Sequence, residues 1–76
     1  MRYKTEDGEV VEATSPTGIV EALRDGSRFA SHQSVEEYME AFAERMFEWN
    51  EQQIKYDSPE AFVSELVRVG WLRPIQ

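Results

Sequence analysis

The sequence predicts a small α+β domain with an N-terminal β-hairpin, three helices and one or two further short strands, in the order β-β-α-α-β-α-β. Three observations predict it. Asp7-Gly8 lies between two short β-leaning runs. Two stretches, SPTGIVEAL from Ser15 and SPEAFVSEL from Ser58, share one helix-start signal. Between them, SVEEYMEAFAERMFEWN repeats its apolar residues at helical period. The helices are expected on one face of a three- or four-stranded sheet. The competing arrangement is a mostly helical domain with the hairpin appended and the later strand candidates only extended.

The hairpin occupies residues 2–13. Read as a two-residue type I′ turn, Asp7-Gly8 pairs Thr5 with Val10 and Tyr3 with Glu12. That register puts Tyr3, Thr5 and Val10 on one face and Lys4, Val11 and Ala13 on the other. Ser15 is then the expected N-cap of the first helix, with Pro16 at the first helical position, where no N–H partner is needed. Ile19, Val20 and Leu23 form its apolar face, Gly18 weakens it by about 1 kcal/mol relative to alanine, and Gly26 is the expected stop. SRFASHQ follows as a loop that Phe29 pins to the core.

The second helix opens on a capping box, Ser34-x-x-Glu37, in which each side chain satisfies the other's backbone N–H. Val35, Met39, Phe42, Met46 and Trp49 form the predicted core stripe, with Tyr38 beside it. QIKY, residues 53–56, reads as a short strand. The last helix starts at Ser58-Pro59, or one residue earlier if Asp57 and Glu60 form the box. Phe62, Leu66 and Val69 are its inner face, with Val63 flanking and Gly70 closing it. WLRPI is the final strand candidate, and Pro74, unable to donate to a ladder, places it at a sheet edge.

The SPxxφVxxL likeness between the first and last helices (φ apolar) reads as convergence on the same start signal rather than duplication. Ser and Pro are what helix starts recruit; Val and Leu are what inward faces recruit. No third copy follows, as a solenoid would need.

Seventy-six residues, 41% of them hydrophobic, fit one domain spanning 1–76 with a modest core. Without cysteine there is no disulfide and no thiolate metal site. Fifteen acidic against eight basic residues give a net charge of −7, which opposes direct nucleic-acid binding and favours basic protein partners. MRYKTEDGEV lacks the apolar core of a signal peptide, and no run approaches a membrane span. A cytoplasmic protein without membrane contact is therefore expected.

The distinctive feature lies on the second helix. Glu36, Glu40, Glu44 and Glu48 recur every fourth residue and Glu51 continues the series. At about 100° per residue they cover only about 120° of the helix surface. Like charges at this spacing repel by a few tenths of a kcal/mol per pair. Phe47 falls inside the same sector. It is expected to be covered by another element, the hairpin being one candidate; left uncovered, it becomes a binding anchor. The stripe itself reads as a solvated face, as a surface for a basic groove, or, least of the three, as a metal site lacking the usual loop oxygens and turn glycine.

No catalytic residue, cofactor or metal ligand is expected. His32 is the only histidine, beside Ser31 and Ser34 with no orienting acid, and no phosphate-binding or nucleophile-elbow motif occurs. The sequence thus points to a non-enzymatic, acidic protein-interaction module, homodimerisation being an open option. Its expected contact residues are Glu36, Glu40, Glu44, Phe47, Glu48 and Glu51. The alternative is an acidic inhibitor that mimics nucleic acid in a basic site of another protein. A small metal protein or enzyme ranks below both.

Overall fold

The computed structural model describes residues 1–26 and 32–75. Strands β1 (Arg2–Thr5) and β2 (Val10–Glu12) are followed by helices α1 (Pro16–Asp25), α2 (Val35–Asn50) and α3 (Pro59–Arg68), then strand β3 (Leu72–Pro74). The sheet is antiparallel, ordered β2-β1-β3, with β1 in the middle. The α+β class stands, and the mostly helical alternative does not, because WLRPI supplies a paired strand. That strand is an edge, as Pro74 requires. QIKY is not a strand: residues 51–56 form no regular pairing, and the order is β-β-α-α-α-β. The Phe29 contact expected of the first loop lies outside the described residues.

The hairpin turn differs from the two-residue reading. The Thr5 carbonyl accepts the Gly8 N–H at 2.9 Å, and the Thr5 N–H donates to the Glu9 carbonyl at 2.8 Å. The connection is therefore Glu6-Asp7-Gly8, three residues long. Only Gly8, at φ +92°, takes left-handed backbone, whereas a type I′ turn would need Asp7 there too. The register moves by one, to Arg2–Glu12, Tyr3–Val11 and Lys4–Val10. A slip of one exchanges the faces of a strand. Val11 thus joins Tyr3 and Thr5 on the core side, while Val10 turns to solvent with Lys4. Buried Thr5 keeps its hydroxyl satisfied by accepting the Glu9 N–H at 3.1 Å.

The two Ser-Pro starts are nearly identical. Ser15 accepts the Gly18 N–H and Ser58 the Ala61 N–H, both at 3.1 Å, with Pro16 and Pro59 at the first helical positions. Asp57 is not the cap. Ile19, Val20 and Leu23 on α1 and Phe62, Val63 and Leu66 on α3 all enter one core. Because no strand precedes α3, the two copies do not share a β-α unit. They also differ at one telling position, where Gly18 stands in the first and Ala61 in the second. A Cβ on Gly18 would lie 2.7 Å from the Ala13 Cβ, closer than real carbons approach. The glycine lets α1 start directly against the end of β2.

The helices end differently. Gly26 keeps right-handed backbone, so α1 stops without a left-handed glycine. After α3, Gly70 sits at φ +85°; its N–H reaches the Val67 carbonyl and the Trp71 N–H reaches the Leu66 carbonyl. This paired closure satisfies two orphan carbonyls and turns the chain sharply into β3. In α2 the capping box forms as read, with Ser34 and Glu37 exchanging bonds of 2.9 and 3.1 Å. Its far end is closed by Glu51 in left-handed backbone, φ 56°, a conformation that disfavours a side-chain Cβ.

The backbone of α2 approaches α1 and α3 but none of the strands. Tyr38, Met39, Phe42, Ala43 and Met46 are its buried residues, and Val35 is partly buried. Trp49, expected in the stripe, is 72% exposed. At about 1.5 Å per residue α2 is longer than its two ten-residue neighbours, and near its end Trp49 borders an open recess with Glu6, Asp7 and Trp71 instead of entering the core.

Two stability changes follow. Gly18→Ala is expected to lower unfolding free energy by about 1–3 kcal/mol, against a helix-propensity gain of about 1 kcal/mol. Adding Ala13→Gly should recover most of the loss in urea titrations; full stability of the single variant would show that the close approach is not limiting. Glu51→Gly should raise stability by about 0.5–1 kcal/mol by relieving the left-handed residue; an unchanged urea midpoint would contradict that.

Candidate interaction surface

The rotation of α2 about its axis is set from inside. The Phe42 ring meets the Phe62 ring edge-to-face at 5.6 Å and the Trp71 ring at 4.9 Å, with Tyr38 tilted against it at 6.1 Å. Burial raises the Tyr38 pKa, and the nearby Arg45 charge pulls it back in part. With Phe42 held inward, the opposite side of the helix faces out. Glu36, Glu40, Glu44, Phe47 and Glu48 are all exposed there. Glu51 is exposed as well, but it lies past the helix end on the left-handed cap rather than in the helical series.

Phe47 is 51% exposed. The hairpin does not cover it, contrary to expectation; the hairpin tip, with Glu6 and Asp7, instead neighbours Arg45, Trp49 and Trp71. The stripe also lacks compensation. Ion pairs among the described residues join Arg2 to Glu12, Arg24 to Asp25 and Arg68 to Glu65, and none reaches Glu36, Glu40, Glu44, Glu48 or Glu51. Glu37, in the same sector, serves the capping box instead. The bond it accepts from the Ser34 N–H, and then the Ser34 hydroxyl, hold its pKa below the ordinary carboxylate value.

One part of the surface was not foreseen. Residues 53–56 run beside α2, and between them lies a groove of about 420 Å³ that includes Phe47, Ile54 and Tyr56. The Ile54 side chain is buried and anchors the segment, whereas Tyr56 is 44% exposed. A clamp from α3 holds its other side. Arg68 grips both Glu65 carboxylate oxygens, at 2.8 and 3.3 Å, and donates to the Gln53 carbonyl at 3.3 Å. Glu65 in turn accepts the Lys55 N–H at 3.3 Å. The Arg68 bond is the main reason the Glu65 pKa is lowered, and the pairing raises that of Arg68. The ion pair thus stands in for the neighbouring strand that residues 53–56 lack. The β-leaning Ile and Tyr of QIKY did signal an extended chain; nothing in the sequence tied it to α2.

No group of three or more His, Asp or Glu side chains is placed to hold a metal ion among the described residues. His32 is exposed in a turn, and its neighbour Ser31 lies outside the described residues. Among the described residues no helix is long and apolar enough to cross a membrane. Comparison with known proteins gives no match among family models, curated proteins or solved structures.

The two lowered carboxylates set a pH dependence. Each contributes stability that is present above the ordinary value of 4.5 and is lost as pH falls through its lower folded value. Urea midpoints should therefore fall on acidification below that value. Glu37→Gln with Glu65→Gln, which keep hydrogen-bonding capacity but cannot titrate, should flatten the decline; an unaltered pH profile in the double variant would assign it to other groups.

Proposed function

We propose that the protein is a non-enzymatic protein-interaction module whose contact surface is the outer face of α2 and whose partner carries a basic surface. One observation carries this reading: a half-exposed phenylalanine set among carboxylates that form no ion pair with any cation among the described residues. A stripe kept only for solubility has no use for an aromatic residue, and repulsion along it costs stability with no return inside the molecule. An aromatic anchor with a charged surround is how many interfaces combine affinity with orientation. The carboxylates steer a cationic partner and Phe47 retains it.

The second reading, an acidic inhibitor that takes the place of nucleic acid on another protein, draws on the same stripe. Four residues of helix separate successive carboxylates by about 6 Å along the axis, a regular row of negative charge. It differs in what it asks of Phe47, since a phosphate mimic needs the charges and not the ring.

Capture from extracts of the native cell separates the two. Wild type should retain a partner that Phe47→Asp and the pair Glu40→Lys with Glu44→Lys both lose, with elution as salt rises. A partner that needs the carboxylates, tolerates Phe47→Asp and is displaced by nucleic acid would favour the inhibitor. Binding indifferent to salt, to Phe47 and to charge reversal would overturn both. Size-exclusion chromatography with light scattering on the same proteins tests whether the face serves self-association instead.

A further inference from the structure

The groove beside Phe47 says more about the partner than the stripe does. Ala43, Phe47, Ile54 and Tyr56 give it an apolar lining, and Glu44 and Glu48 stand along its α2 side. Lys55 is the one cation in the lining, against those two carboxylates. The main chain of the opposite wall adds a third property. While the Gln53 carbonyl and the Lys55 N–H are held by Arg68 and Glu65, the backbone N–H and C=O groups of exposed Tyr56 have no hydrogen-bond partner among the described residues.

A helix entering such a groove has already satisfied its own backbone and would leave these groups to water. An extended segment brings free N–H and C=O groups of its own, and can pair with them while its alternate side chains enter the apolar floor. The excess of carboxylate selects the charge of what flanks those side chains.

We propose that this groove seats an extended segment of a partner protein, in which a large apolar side chain enters between Phe47 and Tyr56 and flanking Lys or Arg residues meet Glu44 and Glu48. This rests on the reading of the α2 outer face as an interaction surface and adds the shape and chemistry of what binds there. A second copy of the chain fits poorly. Two copies related by a two-fold axis across this face would set their acidic rows against each other. Among the described residues the exposed cations Arg2, Lys4 and Arg73 lie within the strands of the sheet, Arg45 lies on α2 itself, Lys55 belongs to the groove wall and Arg68 is paired with Glu65.

The test uses fluorescein-labelled synthetic peptides with the full-length chain: one with a central leucine between arginine pairs, one with serine for leucine, one with glutamate for arginine. Fluorescence anisotropy should show the arginine–leucine peptide binding about tenfold or more tighter than either counterpart, and weakening as salt rises to about 0.5 M. Phe47→Ser and Tyr56→Ser should each weaken it severalfold. These positions are exposed, and circular dichroism confirms that the variants fold. Amide NMR shifts on binding should centre on Ile54 and Tyr56. Equal binding of the leucine and serine peptides, shifts centred elsewhere, or no binding would each overturn the groove proposal. Peptide binding that survives Phe47→Ser but is lost with Glu40→Lys and Glu44→Lys would also overturn it, while leaving an acidic contact face on α2 in place. Self-association abolished by Phe47→Ser would give the groove to a second copy and overturn both.

Discussion

Phe42 is the residue on which the arrangement turns. α2 has no strand to lie on and is held by α1 and α3, so its rotation depends on side chains. Two perpendicular ring contacts, with Phe62 and Trp71, fix it. Such pairs add about 0.5–1.5 kcal/mol each beyond the area they bury. Their directional effect matters as much. Five residues of helix rotate by about 140° beyond a full turn, so a helix with Phe42 locked inward has Phe47 turned outward. The contact surface is the far side of an internal aromatic contact. Trp71 reaches Phe42 only because Gly70 turns the chain sharply after α3, which makes a backbone conformation in one element a condition for the pose of another.

The helices were legible because their signals are local. A Ser-Pro start, a Ser34/Glu37 box and an apolar period each depend on residues within a turn or two. The hairpin register was not, because Asp-Gly suits a three-residue connection as well as a two-residue one, and the choice reverses the faces of β2. Periodicity placed Trp49 on the inner side of α2 correctly in angle. It carries no information about which elements reach the end of the helix, and that decided its exposure. The acidic row could be read from spacing, whereas its lack of ion pairs among the described residues could not, since a cation from any element was free to reach it. Least legible was the groove, one wall of which is a segment with no regular structure and is positioned by a side-chain pair ten to fifteen residues away.

Charge is sorted by surface in this molecule. The outward side of the sheet carries Arg2, Lys4 and Arg73, with Lys4 directly opposite Arg73 and Glu12 opposite Arg2. The outward side of α2 carries carboxylates. Each side accepts like-charge neighbours, costing a few tenths of a kcal/mol per close pair. Carboxylates used structurally, Glu37 and Glu65, behave differently: each is engaged by named donors and has its proton affinity lowered for that reason. Glu36, Glu40, Glu44 and Glu48 have no such partner among the described residues.

Placing β1 in the middle of the sheet has a consequence for how the chain acquires its structure. β1 pairs on one side with a strand a few residues away and on the other with one that comes after all three helices. The hairpin and each helix by itself rest on short-range contacts and can form early, whereas packing α1 on α3 and joining β3 to β1 both require closing long loops of the chain. During synthesis β1 leaves the ribosome first and β3 last. Until then the edge of β1 that receives β3 stands open, and Leu72, among the most deeply buried side chains, is missing from the core. The sheet is thus completed as a late, cooperative step, and the nascent hairpin must stay soluble with one edge unpaired. The outward Arg2 and Lys4 suit that interval, since charged side chains on an open strand discourage pairing with other chains.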